Sequence, residues 1–286
     1  MKKILLIVSS TLLLANSFFA QDDADKKFRF GLRVAPTPTW LRSNDPKLVE
    51  KSSTKFGFGF GLQCEIRINS TASFITGIGG DFLGGKQSYK NGQGYVLDKN
   101  NEYVDSKDGG FGQGVTGLYN STNNGNKFYE IKSRSIKTTY VTIPVMLKLM
   151  TKDISGFKYF GQFGGNIAIQ TKFRATDELT ELKYNVITNQ YETNGAVTVS
   201  DMRPDGDLIP FNVGLNAGIG AEYNLSGSTS VFFSINYLRG FVNQYQRTSE
   251  VMVDKIKDNI NAGTKPANSK QSAYSDGIQI NVGILF

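Results

Sequence analysis

The 286-residue chain contains no histidine and a single cysteine. Without histidine there is no Ser-His-Asp hydrolysis and no histidine-dependent acyl transfer. One cysteine and no histidine also remove the ordinary zinc and haem ligand sets. No internal disulfide can form, and Cys64 reads as a small buried apolar residue rather than a reactive thiol. Residues 98–110, DKNNEYVDSKDGG, have the acidic spacing of a calcium loop, but Tyr103 stands where that loop needs glycine. The glycines of FGQGVTG come without a P-loop lysine. No catalytic residue, cofactor or metal site is therefore expected, and the chain is not expected to be an enzyme. After the first twenty residues no apolar run approaches the length of a membrane-crossing helix, which leaves membrane-crossing strands open. The formal charge of +7 is scattered rather than gathered in a basic stripe, so nucleic acid is not an expected partner.

The opening MKKILLIVSSTLLLANSFFA has two lysines, an apolar run and a short region ending at Ala20. It reads as a secretory signal peptide over 1–20, cleaved to leave 21–286 as one domain. Phe18 occupies a position where a small residue is usual, and cleavage after Ser17 is the alternative.

What the chain has in abundance is alternation. In KFGFGFGLQCEIRI, residues 55–68, Phe56, Phe58, Phe60, Leu62, Cys64, Ile66 and Ile68 fall on one parity, and Gly57, Gly59, Gly61, Gln63, Glu65 and Arg67 on the other. Successive side chains of a strand point to opposite faces, so this is a ribbon with one apolar side. Seven more segments behave alike, beginning near Phe28, Thr71, Lys137, Gly156, Pro210, Thr229 and Asp276. In the third, Ile75 breaks parity.

Alternation alone permits a soluble sandwich with its phenylalanines inside or a membrane barrel with them facing lipid. The connections separate the two. Those near 69–71, 151–155 and 226–228 are tight turns, whereas 37–54, 85–135, 171–208 and 242–274 are long, and the two kinds strictly alternate. Short turns and both termini on one side, with long loops on the other, are the layout of a bacterial outer-membrane barrel. The expected fold is all-β: a closed antiparallel up-and-down transmembrane β-barrel of about eight strands, with short periplasmic turns and long extracellular loops. Eight strands leave an interior that side chains can fill. By parity Arg29, Arg33, Glu65, Arg67, Asp81, Lys148, Lys158 and Glu222 point into it as a lumen polar network. The last strand sets Ile280, Val282, Ile284 and Phe286 on one face, the form of a C-terminal assembly signal. Expected partners are membrane lipids, the barrel-assembly machinery during insertion, and a protein reached through the extracellular loops or within a larger complex. Tyr95, Tyr103, Tyr119, Tyr129, Tyr184 and Tyr191 lie in those loops, suited either to binding a protein or glycan or to packing on one another.

YVTIPVMLK, Tyr140 to Lys148, resembles the Tyr-Leu-Glu-Ile-Pro-Leu-Leu-Leu-Lys segment of PorT-type outer-membrane β-barrel proteins, a Gram-negative family often labelled porin-like. The resemblance extends over the mature chain as eight strands, glycine-rich hairpins and the final Phe286. Thr142 stands where that family has an inward glutamate, and Pro144 predicts a bulge or local break in its strand. The filled interior and the large loops lead to the expectation of a non-enzymatic structural or interaction subunit, and the resemblance to PorT, which is associated with secretion, makes it accessory to a secretion or outer-membrane assembly complex. The porin-like label and the polar interior give a small solute channel as the alternative.

Overall fold

The computed structural model describes residues 27–90, 92–104, 126–204 and 207–286. The expected signal peptide and Tyr119 lie outside them. The described chain is all-β and antiparallel apart from one short helix, with its strands joined in one thirteen-stranded sheet. Eight strands correspond to the alternating segments: β1 (Phe28–Arg42), β3 (Lys55–Arg67), β4 (Ala72–Tyr89), β6 (Lys127–Met150), β7 (Phe157–Asn185), β9 (Phe211–Ser226), β10 (Thr229–Gly240) and β13 (Tyr274–Leu285). Each pairs with the next along the chain, β6 pairs with β7, and β13 pairs back with β1, so the path of pairing returns to its start. The strand count exceeds the expected eight. The additions are β2 (Val49–Ser53), β5 (Gly94–Leu97), β8 (Gln190–Met202), β11 (Thr248–Val253) and β12 (Asn268–Lys270), which with helix α1 (Ile256–Asn261) lie within the long connections.

Parity translates directly into exposure. In β3, Phe60 and Leu62 are 51% and 58% exposed, while Gly59, Gly61 and Glu65 are buried. The same inversion recurs at Phe163, Ile169, Val213, Phe233 and Val282, all exposed and apolar, with polar neighbours of opposite parity turned inside. A sandwich soluble in water would bury these side chains. Cys64, on the outward parity, is half-buried rather than buried.

Close approach demands glycine at Gly220, where a Cβ would meet the Phe233 carbonyl and the Phe160 ring that fills the interior there, while at Gly59 a Cβ would meet only the end of the Asp81 side chain, which leans over it. Pro144 has the local effect expected of a residue without a donor: the β4–β6 ladder lapses between Ile75↔Met146 and Gly79↔Thr142 and resumes in the same register. Ile75, the parity exception, points inward and is 3% exposed.

The long connections are far more ordered than their polar composition suggests. β6 begins at Lys127, and β7 runs for 29 residues to Asn185. Crossing a bilayer takes about ten residues, so roughly half of each strand projects beyond the apolar band. A bulge occurs on the way: Tyr140 pairs with Gln170 but Thr139 with Lys172, leaving Thr171 as the extra residue. Parity reverses after it. Phe173 and Ala175 turn inward to join Leu41, Tyr95, Ile136, Leu179, Tyr245 and Met252 in an apolar core at the long-connection end. A second cluster, Val96, Phe128, Leu182, Tyr191, Val253, Ile256 and Ile260, packs α1 against the sheet extension. These clusters form a cap.

Candidate functional site

The interior between the short turns and the cap is filled in layers. Nearest the turns is an apolar group of Met150, Phe160, Phe232 and Leu285. Against it sits a buried ionic group contributed by β1, β3, β6 and β9. Arg29 Nη1 lies 2.6 Å from Glu222 Oε1, and its Nη2 donates to Ser230 Oγ at 2.8 Å. Lys148 Nζ donates to Glu65 Oε2 at 2.9 Å and to Glu222 Oε2 at 2.8 Å. The ammonium also lies 4.5 Å from the centroid of the Phe160 ring. Two cations and two carboxylates cancel, the condition under which charges withdrawn from water are tolerated.

Beyond them runs a chain of amide and hydroxyl groups, with the Arg33 guanidinium at one end. Arg33 Nη1 donates to Asn281 Oδ1 at 2.9 Å, and Asn281 Nδ2 to Ser234 Oγ at 3.1 Å. Gln162 Nε2 donates to Asn236 Oδ1 at 2.9 Å, Asn236 Nδ2 to Asn216 Oδ1 at 2.7 Å, and Asn216 Nδ2 to Asn166 Oδ1 at 3.2 Å. Between this chain and the cap is a cavity of about 50 Å³ bordered by Thr39, Asp81, Tyr140, Thr142, Asn166 and Asn212. It has room for a few waters.

The cap has a charged centre of its own. Arg134 Nε and Nη2 grip Asp177 Oδ1 and Oδ2 at 2.8 and 2.7 Å, a bidentate pair with both side chains fully buried. Tyr95 donates to Asp177 Oδ2 at 2.7 Å, and Arg134 Nη2 donates to the Tyr103 hydroxyl at 2.8 Å. The guanidinium lies 6.0 Å from the ring centroids of both Tyr95 and Tyr245. Burial holds the Tyr95, Tyr103 and Tyr245 phenols well above their ordinary range. A second tie is Asp207, which accepts from Ser249 Oγ, from Gln271 Nε2 at 2.7 Å and from Glu250 N at 2.7 Å.

Of the eight lumen residues read from parity, the structure joins Arg29, Glu65, Lys148 and Glu222 in one network. Arg33 instead belongs to the amide chain, and buried Asp81 leans over Gly59 beside the cavity with Oδ1 unpartnered among the described residues. Arg67 and Lys158, toward the turns, form no ion pair with described residues, although Lys158 lies opposite Glu222 in register. Ile280, Val282, Ile284 and Phe286 share the outward face, and the Phe286 amide donates to the Phe30 carbonyl at 2.7 Å. Tyr95, Tyr129 and Tyr191 are buried in the cap, which makes them packing residues rather than a binding surface. The Arg134–Asp177 centre was not among the expected sites. Both residues fall in the connections 85–135 and 171–208 that read as loops, where opposite charge alone singles neither of them out.

A family model described as outer membrane protein beta-barrel domain matches residues 19–246. No curated protein matches the chain. Among solved structures, the chain is similar to OprG from Pseudomonas aeruginosa (10% identity, 92% of this chain and 99% of that one, TM-score 0.37). It is also similar to the neisserial surface protein NspA (9% identity, 90% and 96%, TM-score 0.36) and to a major outer membrane protein from Thermus thermophilus (13% identity, 91% and 99%, TM-score 0.32).

Proposed function

Because the chain belongs to the outer membrane protein β-barrel domain family and lies in the bacterial outer membrane, we propose that its ring of eight strands is a closed up-and-down transmembrane barrel of PorT type serving as a non-enzymatic structural or interaction subunit. In this reading the short turns face the periplasm and the cap stands outside the cell. Residues 1–20 direct export, and Ile280, Val282, Ile284 and Phe286 are read by the assembly machinery. The outward apolar face meets lipid, and pairing that returns to its start leaves no strand edge in hydrocarbon.

One observation carries the functional part: the interior holds a neutral Arg29–Glu222–Lys148–Glu65 network beneath a cap with its own apolar core. Conduction needs sites that ions can enter and leave, and here the four charged groups next to the apolar layer, Arg29, Glu65, Lys148 and Glu222, are held in contact with one another. What the protein presents to its surroundings is the folded cap, which suits it to a partner in a secretion or outer-membrane assembly complex. The purified, refolded protein should give no steady conductance in a planar bilayer, whereas crosslinking in native membranes should recover a defined partner. Steady single-channel currents would favour the porin-like alternative, and a lone monomer after crosslinking would remove the subunit role.

A further inference from the structure

We propose that the outward face of β4, β6 and β7, where they leave the apolar band, binds the phosphorylated head group of a membrane lipid. The surface is built by register. Lys137 of β6 stands opposite Arg174 of β7 and opposite Gly84 of β4, and Thr139 stands opposite Lys172. The bulge at Thr171 is what places Lys172 and Arg174 on this face, since unbroken parity would turn them inward. Lys86 of β4, two residues beyond Gly84, completes the group.

Like charges directly opposite one another in a sheet repel, and the available carboxylates answer only part of this patch. Lys86 Nζ is held by Glu178 at 2.7 Å and Arg174 Nε by Asp201 at 2.7 Å. Lys137 and Lys172 are exposed and form no ion pair with any described residue. Four cations against two carboxylates leave a local excess of two, concentrated on these two neighbouring lysines.

Height selects the occupant. Ile169, 54% exposed, is in the apolar band three residues before Lys172, about 10 Å along the strand, which at a barrel strand's tilt of about 40° places the lysine backbone about 7 to 8 Å farther out. The head-group layer adds about 5 to 8 Å beyond the hydrocarbon on each side, and a lysine stem bends toward charge as it lies along apolar surface. The free ammonium groups therefore fall at the depth of lipid phosphates. This rests on the outward face meeting lipid, as proposed above.

The test uses the mature chain in phosphatidylcholine nanodiscs doped with fluorescent lipid A, either phosphorylated or dephosphorylated. The phosphorylated form should be retained about thirtyfold more tightly, since each of the two lysines near the surface contributes on the order of 1 kcal/mol. Lys137→Gln/Lys172→Gln should abolish the preference, and Lys152→Gln at the turn end should leave it intact. Should the double variant not fold, Lys172→Gln alone should lower the preference. Equal retention of the two lipids, an unaltered preference in the folded lysine variant, or displacement by millimolar inorganic phosphate would each overturn the proposal. Quenching of labels at positions 58 and 213 by brominated acyl chains reports membrane insertion separately, so loss of lipid preference with quenching intact sinks this inference alone.

Discussion

Lys148 is the residue on which the interior charge balance turns, because its single ammonium bridges Glu65 and Glu222 with 2% of its side chain exposed. Lys148→Met keeps much of the volume and removes the charge, leaving Arg29 facing two carboxylates. Breaking a buried pair from one side costs about 3 to 5 kcal/mol, and unfolding in guanidinium followed by the fluorescence of Trp40, the only tryptophan, should register a loss of that size. Adding Glu65→Gln restores one cation to one carboxylate and should recover a substantial part of it. If the double variant is as unstable as the sum of the two singles, Glu65 and Lys148 are not coupled as their geometry implies.

Single elements show where sequence pattern stops being informative. Deleting Thr171 removes the bulge and shifts the rest of β7 by one position, so Phe173, Ala175 and Leu179 would point outward and Lys172 and Arg174 into the cap. The expected outcome is a barrel that still migrates as folded while its cap is cut rapidly by protease; an intact, resistant cap would show that the strand finds another register. Period two exposed the eight ring strands because the bilayer side and the interior impose opposite chemistry on alternate residues, as at Phe60 and Glu65. The same rule gave the inward positions of Arg29, Lys148 and Glu222. It could not give the bulge, because Gln170, Thr171 and Lys172 are polar on either face. It also missed the cap. Residues 127–136 and 171–202 mix Lys, Arg, Glu and Thr with isolated Tyr, Phe and Leu, and the apolar partners of Tyr95 and Phe173 come from separate stretches that meet only on folding.

The molecule as a whole joins two solvent regimes, and two perturbations should separate them. Phe60→Arg places a charge on the outward face and should cost about 2 to 4 kcal/mol of membrane-inserted stability if near the midplane, with the cap retaining its protease resistance; an unchanged stability in bilayers would deny that this face meets lipid. Alkali acts on the other half. Burial is the main cause that pushes the Tyr89 phenol, packed against the cap core, up to about 12, with Arg134 pulling it down and Asp177 pushing it up. Below pH 10 that phenol is protonated in both folded and unfolded chains, so its contribution to stability is constant. Between pH 10 and about 12 the unfolded chain releases the proton and the folded cap does not, so folding weakens progressively as pH rises. Tyr95, Tyr103 and Tyr245 are shifted in the same direction and for the same principal reason, and their phenols should ionise only as the cap opens. The tyrosinate absorbance of these four phenols, read as the difference from a variant with all four replaced by Phe, should thus rise late and cooperatively, together with protease cleavage in the cap, while the ring of strands keeps its β circular dichroism. A gradual rise near pH 10 in that difference, with the cap still resistant, would mean that these hydroxyls are open to water and that the Arg134–Asp177 centre is not sealed.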